Sequence, residues 1–318
     1  MKPSRLAARS AGKRSSSAKI KVRLKRAPPT SADAALAPYT AKILPPPPTG
    51  SLRIATWNIN SVRLRLSLVK KLAKRAGPDV ICLQETKTPD EHFPREAFAA
   101  LGYVHQAACG MKGYNGVAIL SRHPLHAAVP RQWCDRTDCR HLVAEVEIAG
   151  RDRIELHNVY VPAGGDVPDP ETNPKFAHKL RFLREQTAWW EKQSRTGLPR
   201  ILVGDLNVAP LETDVWSHRQ LLDVVSHTPA ETELLGQMLA AHEWVDVARH
   251  MVPEPTRMYT WWSYRNRDWK ASDRGRRLDH IWVSPALKPA LSAVHILKSA
   301  RDWRQPSDHV PVIIDLAL

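Results

Sequence analysis

Asp308 and His309 stand side by side in QPSDHVPVIIDL, just ahead of an apolar run that reads as a buried strand. The same arrangement recurs along the chain. TWNIN carries Asn58, VICLQETK carries Glu85 and Lys87, HNVYVP carries Tyr160, ILVGDLN carries Asp205 and Asn207, and GRRLDHIW carries Asp279. Any one of these residues could serve a turn or a cap. Together, so many strand ends rich in acids and amides point to one site, because layered α/β folds collect their chemistry where loops leave a rigid sheet. Oxygen donors such as Glu85, Asp308 and the Asn58 amide suit a hard cation, Mg2+ or alternatively Mn2+, over zinc. No glycine-rich phosphate loop precedes a lysine, and no G-x-S-x-G elbow occurs. Acids, amides, a histidine and a tyrosine can activate water, stabilise a leaving group and hold non-bridging oxygens. That set matches metal-assisted phosphoester hydrolysis.

The elements that must position these residues follow from hydropathy. LRIATWNI, VICLQ, GVAILS, HLVAEVEI, RIELHNVYV, RILVGDLN, RLDHIWVS and VPVIIDLAL are strand-like. An amphipathic helix is predicted over 61–76, with Val62, Leu66, Val69, Leu72 and Ala76 on one face. A second is predicted over 174–194, presenting Phe176, Leu180, Leu183, Thr187 and Trp190, and a third over 229–242 behind Thr228-Pro229. Strands outnumber helices and several follow one another directly. Two packed sheets with outer helices fit that order better than a parallel doubly wound sheet.

Composition sets the outer bounds. The chain has 318 residues, 43% of them hydrophobic, enough for one large core. Of the net charge of +15, residues 1–50 supply +10, from 11 Lys/Arg against the single acid Asp33; the remaining 36 Lys/Arg and 31 acids leave +5 for residues 51–318. The first segment, basic and ending in ILPPPPTG, reads as a disordered extension with a polyproline spacer, and residues 51–318 as one catalytic domain. Its charge fits either a nucleic-acid-binding arm or a solvated tail. No run of 18 apolar residues would cross a membrane. Cys82, Cys109, Cys134 and Cys139 lack metal-ligand spacing and are expected as free thiols in a reducing compartment.

TWNIN, LQETK, KGYNGVAIL, VYVP, GDLNVAP, YTWWSYR, GRRLDHIW and PSDHVPV occur in the order and approximate spacing of a known family. Over about residues 52–318 the chain resembles the exonuclease III family of abasic-site (AP) endonucleases, within the endonuclease/exonuclease/phosphatase superfamily. The resemblance implies a four-layer α/β sandwich of the DNase I-like kind, two mixed sheets flanked by helices. It implies incision of DNA 5′ to abasic sites, with 3′-to-5′ exodeoxyribonuclease and 3′-phosphatase activity, dependent on Mg2+. By the same resemblance Glu85 is the principal metal ligand, with Asn58 in or beside the metal shell and Asp308 at a second metal or outside it. Asp205, Asn207 and His309 also border the metal, and His309 contacts the scissile phosphate, oriented by Asp279. The general base is either Asp205 or the Asp279–His309 pair. Asn207 and Tyr160 hold phosphate oxygens. Trp261 and Leu278 wall a pocket for a base-free sugar, with Trp262 nearer the core, and Lys87, Lys112 and Arg140 contact DNA phosphates.

One departure stands out: after VYVP the family often has Asn or Gln, and this chain has Ala163. The implied partner is double-stranded DNA with abasic sites or 3′ ends, bound by a monomer away from membranes. The implied setting is a bacterial cytoplasm beside the nucleoid, the basic extension leaving an organelle open. The alternatives are a superfamily relative acting on RNA or an inositol phosphate, and a non-catalytic DNA-binding protein.

Overall fold

β-Branched and aromatic runs punctuated by polar turns give two six-stranded mixed sheets in the computed structural model, which describes residues 44–193 and 197–318. The strands are β1 (Ser51–Asn58), β2 (Val80–Gln84), β3 (His105–Met111), β4 (Tyr114–Ser121), β5 (Leu125–Pro130), β6 (His141–Val146), β7 (Ile154–Tyr160), β8 (Arg200–Asp205), β9 (Val245–Asp246), β10 (Trp261–Trp262), β11 (Gly275–Arg276), β12 (Asp279–Val283), β13 (Leu291–Ile296) and β14 (Val312–Ala317). One sheet runs β13-β14-β1-β2-β4-β3 and the other β5-β6-β7-β8-β12-β9, with β10-β11 a separate ribbon. Only β1–β2 and β7–β8 pair in parallel among the described residues.

That mixture decides where the strand ends fall. Because β1 and β2 are parallel, Asn58 and Gln84 end in register on one edge. β14 is antiparallel to β1, so its N-terminal side, preceded by Asp308 and His309, comes to the same edge. In the other sheet Tyr160 pairs with Asp205 at the ends of β7 and β8, and antiparallel β12 brings its first residue, Asp279, opposite Asp205. The two sheets pack face to face, β1 against β8 and β12, so both edges open on one cleft.

The core between the sheets is built from side chains such as Ile54, Trp57, Leu83, Ile119, Leu156, Val203 and Ile313. Helix α1 (Leu66–Ala76) covers the outside of the first sheet through Val69, Leu72 and Ala76, and ends at Gly77 in the left-handed conformation, φ 56°. Helices α2 (Pro174–Lys192) and α3 (Pro229–Ala241) pack on each other and on the second sheet, joining Phe176, Leu180, Leu183, Trp190, Leu235 and Met238 to Leu202 and Trp282. Thr228 and Glu231 form a capping box at the start of α3. The result is the expected four-layer sandwich. Gly204 lets β7 and β8 approach: its φ is 146°, and a Cβ there would meet the Val159 carbonyl oxygen at 1.8 Å.

Several expectations need correction. The first helix begins at Leu66, not at residue 61, because the amides of Ser61 and Val62 bond the carbonyls of Glu85 and Thr86, and Asn60 and Ser61 have positive φ. Those tertiary bonds hold 60–62 against the end of β2. Among the described residues, packing onto the body already includes the stretch just before residue 51. Leu44 lies in the core, and the Pro45 carbonyl accepts from buried Arg53, whose guanidinium grips Asp315 at 2.6 and 2.7 Å. Residues 1–43, most of the expected disordered extension, lie outside the described residues. The cysteines are not all free. Cys109 and Cys139 form a disulfide, brought to a Cα separation of 5.3 Å as the loop before β6 runs along β4, the Gly116 amide bonding the Cys139 carbonyl. Cys82 and Cys134 are buried thiols. No helix among the described residues is long and apolar enough to cross a membrane.

Candidate active site

Glu85 follows β2 with φ 50°, and Lys87 and Asn207 have φ of 50° and 53°. Non-glycine residues adopt this left-handed region at a cost, and such strain clusters at functional sites. Here the backbone turns sharply out of each strand and presents side chains to the cleft. Asn58 bridges the two halves of the site, its Nδ2 donating to Glu85 Oε1 at 3.0 Å and to Asp205 Oδ2 at 2.8 Å. The Tyr160 hydroxyl donates to Glu85 Oε1 at 2.8 Å. The Lys87 ammonium pairs with Glu85 Oε2 at 2.7 Å and with Asn60 Oδ1 at 2.7 Å. Burial disfavours the charge on Glu85, but Lys87 and the hydrogen bonds from Asn58, Lys87 and Tyr160 outweigh it and hold the carboxyl below the usual range.

Asp308 accepts from Trp261 Nε1 at 3.0 Å and from Asn60 Nδ2 at 3.1 Å. Burial again opposes ionisation, yet neighbouring His309 and these donors keep its carboxyl low. Asn60 therefore links Glu85, through Lys87, to Asp308. Sequence reasoning missed it: it stands two residues beyond Asn58 in TWNIN, and alternation along an extended segment was the available signal. This side of the cleft offers ionised carboxylates and amide oxygens, with a cationic group already seated on Glu85. An all-oxygen, anionic donor set of this kind fits a hard divalent cation.

Asp205, Asp279 and His309 form the other half. His309 Nδ1 lies 2.8 Å from Asp279 Oδ2, and its Nε2 lies 3.6 Å from Asp205 Oδ2. The donor atoms of these residues lie within 4.8 Å of one another, close enough to hold a metal, but Asp279 already occupies one ring nitrogen of His309. Burial lowers the affinity of His309 for a proton, and Asp279 and Asp205 reverse that, pushing it up to about 10. Asp205 is pushed up to about 7, by burial first, with His309 opposing, Asp279 adding and Asn58 relieving. Asn207 holds Asp205 in place, its amide N–H on Oδ1 at 2.9 Å and its Nδ2 on Oδ2 at 3.2 Å, with the same Nδ2 on the Val161 carbonyl at 2.9 Å. Behind it, buried Lys179 donates to the Asn207 carbonyl at 2.7 Å and to the Ala163 carbonyl at 3.3 Å while pairing with Glu231.

Glu85, Asp308 and His309 open onto a cleft of about 660 Å³ whose lining includes Trp261 and Leu278. Trp262 points the other way into the core, with its indole nitrogen on Asp273. The three cations expected at DNA phosphates differ in surroundings. Lys112 is exposed in the β3–β4 turn and Lys87 is engaged by Glu85. Arg140 is 2% exposed, bonded to Asp138 at 2.5 Å and to the Tyr114 hydroxyl at 2.6 Å, with its guanidinium 5.0 Å from the Tyr160 ring centre. It buttresses Tyr160 and does not stand free for a phosphate. Arg277, the second arginine of GRRLD, is likewise internal, gripping Asp214 with two bonds of 2.8 Å and anchoring the loop beside the cleft.

Residues 55–309 match the endonuclease/exonuclease/phosphatase family model. The chain is 30% identical over 268 residues to exodeoxyribonuclease III of Haemophilus influenzae, covering 82% of this chain and 98% of that one. Among solved structures, an AP endonuclease from Archaeoglobus fulgidus superposes with a TM-score of 0.77 at 31% identity, covering 84% of this chain and 100% of that one. The 3′ phosphatase NExo from Neisseria, bound to a product DNA hairpin, gives 0.76 at 30% identity, covering 83% and 99%. With its fold, cleft and motifs in agreement, the chain belongs to the exonuclease III/AP endonuclease branch of the endonuclease/exonuclease/phosphatase family.

Proposed function

We propose that this protein is a DNA-repair phosphodiesterase that incises duplex DNA 5′ to abasic sites and clears 3′ ends by exonuclease and 3′-phosphatase action. The observation that carries this reading is the buried Asp279–His309–Asp205 cluster, whose His309 lines the same cleft as Glu85 and Asp308. Glu85 and Asp308, with Asn58 and Asn60 beside them, would hold Mg2+, or Mn2+ in its place. When bound, the ion supplies Lewis-acid polarisation of the phosphate and screening of its charge. The protein's own groups do the rest. Asp205, near half-ionised at neutral pH, takes the proton of the attacking water, a role suited to a base whose affinity lies close to the working pH. His309, kept cationic by Asp279, faces a non-bridging phosphate oxygen as charge develops there. Water adds to phosphorus, the P–O3′ bond breaks, and the 3′ oxygen ends as a hydroxyl. Asn207 fixes Asp205, and Tyr160 fixes Glu85. We place the enzyme as a monomer in a bacterial cytoplasm. The deciding experiment is nicking of a duplex with a single tetrahydrofuran abasic site, with Mg2+ and with EDTA. Mg2+-dependent cleavage on the 5′ side is expected. Absence of cleavage at every Mg2+ or Mn2+ concentration would overturn the proposal.

A further inference from the structure

Cys109 and Cys139 stand apart from the other two cysteines. Both are partly exposed, so a small thiol can reach the bond between them, whereas Cys82 and Cys134 lie buried in the core. Burial pushes the Cys134 thiol up to about 11 and the Cys82 thiol higher still, which leaves little reactive thiolate on either near neutrality. The disulfide joins β3, near its C-terminal end, to the residue just before Arg140. There it meets the site. The Arg140 guanidinium lies against the Tyr160 ring and donates to the Tyr114 hydroxyl at 2.6 Å, and the Arg140 carbonyl accepts from the Tyr160 amide at 2.7 Å. Tyr160 in turn donates to Glu85 at 2.8 Å. A second route runs through Gly116. Its amide donates to the Cys139 carbonyl at 3.0 Å, and its own carbonyl accepts from the Thr86 amide at 3.1 Å. A Cβ on Gly116 would meet Thr86 Oγ1 at 2.2 Å, so the two segments touch with no space between them. Both routes end on Glu85, whose φ of 50° is a conformation that its surroundings must hold. The earlier part of the loop is fixed separately, the Cys134 amide bonding Glu185 at 2.7 Å, and residues 135–137 between the two anchors are exposed.

We propose that Cys109 and Cys139 are a reversible thiol–disulfide modification site, closed by peroxide and opened by small thiols, whose closed form holds Glu85 for catalysis. The inference rests on the reading of the cleft as a phosphodiesterase site and adds a means of regulating it. Opening consumes two thiols. The first attacks one sulfur to give a mixed disulfide, the second displaces it, and two protein thiols and one small-molecule disulfide result. Closing consumes one peroxide. One cysteine, attacking as thiolate, becomes a sulfenic acid as a first water leaves, and the other thiol displaces a second water as the S–S bond forms. In a reducing compartment an accessible bond of this kind exchanges with the thiol pool and is no permanent staple.

The test compares the full chain treated with hydrogen peroxide and with dithiothreitol, each reagent removed before assay. Alkylation after denaturation should count two thiols in the first form and four in the second. Removing a group that directly supports a metal ligand costs about 10- to 100-fold, and the disulfide acts one step further back. Single-turnover incision of a tetrahydrofuran duplex at limiting Mg2+ should therefore be about 3- to 10-fold slower in the reduced form, and peroxide should restore it. Cys109→Ser and Cys139→Ser should match the reduced enzyme and ignore both reagents, while Cys134→Ser should keep the response. Amide exchange at Gly116 and Tyr160 should rise on reduction and that of β8 should not. Equal rates in the two forms would overturn the inference, as would a response that survives Cys109→Ser. A thiol count that neither reagent changes also overturns it. If near-ultraviolet circular dichroism and β8 exchange change along with the rate, the bond is a general staple and the inference falls. If the oxidised enzyme incises no abasic duplex, the proposed function fails. The inference is then judged by exchange alone, where unchanged protection of Gly116 and Tyr160 overturns it.

Discussion

Replacing Asp279 with Asn keeps the shape of the side chain and removes the charge that sets His309. Asp279 Oδ2 lies 2.8 Å from His309 Nδ1, both groups are buried, and Asp279 is the largest influence raising His309 against its burial, to about 10. A counter-charge this close moves a neighbour by roughly 1–3 pKa units. In Asp279→Asn the imidazole should therefore titrate between about 7 and 9. Asp205 simultaneously loses a like charge that helps hold it near about 7, so its own ionisation moves to lower pH. Incision requires Asp205 ionised and His309 protonated, so the wild-type profile of kcat/KM should rise to a plateau above about 7 and fall above about 10. In the variant both limbs should shift toward acid. Loss of orientation should lower the plateau by about 10- to 10³-fold, as when a triad aspartate is neutralised. The assay is single-turnover incision of a tetrahydrofuran duplex across pH at saturating Mg2+, with DNA affinity measured in parallel. A basic limb that stays near 10 would refute the assignment, as would a loss that falls on affinity alone.

Glu85→Ala should lower Mg2+-dependent incision by about 10² or more, with partial recovery at high Mg2+; an unchanged rate at limiting Mg2+ would remove Glu85 from the metal side. His280 donates to the Val208 carbonyl at 2.9 Å and faces Arg277 at 3.2 Å; burial, then Arg277, push it down to about 4. Its folded value lies below the unfolded one, so the stability it protects is complete above about 6.5 and is lost as pH falls through about 4, on the order of 3 kcal/mol. Urea unfolding at pH 7.5 and 4.5 should show a smaller drop for His280→Gln, and an equal drop would contradict this. Deleting residues 1–42, short of buried Leu44, should leave kcat on abasic DNA within about twofold. It should also flatten log K against log salt by about 0.9 for each phosphate that the segment neutralises. An unchanged slope would make the segment a bystander.

The sequence by itself determined the periodic elements and the chemical character of the site. Two-residue alternation and apolar runs marked β1, β2, β4, β6, β7, β8, β12 and β14, and Pro after a capping residue marked the start of α3. It did not mark β3 or β13, whose HQAACGM and LSAVHI mix polar and small residues because each is an outer strand of its sheet. The first helix is shorter than its periodicity suggests because backbone amides of Ser61 and Val62 bond the segment leaving β2, distant in sequence, which no local pattern encodes. The Cys109–Cys139 bond depends in the same way on two segments meeting.

At the site, residue types in short motifs announced Glu85, Asp205, Asp279 and His309. Beyond the Asp279–His309 pair, which the resemblance already implied, their partners came only from the tertiary structure. Asn58 joins carboxylates from two sheets, Lys87 turns back onto Glu85, and Arg140 supports Tyr160 from inside. Arg276 and Arg277, adjacent and chemically identical in GRRLD, part company for the same reason. One meets Asp214 in the interior, and the other lies against Trp261 with no carboxylate on it among the described residues. A motif fixes which groups a chain possesses. The pairing of parallel and antiparallel strands decides which of them face each other, and burial then decides what charge they carry.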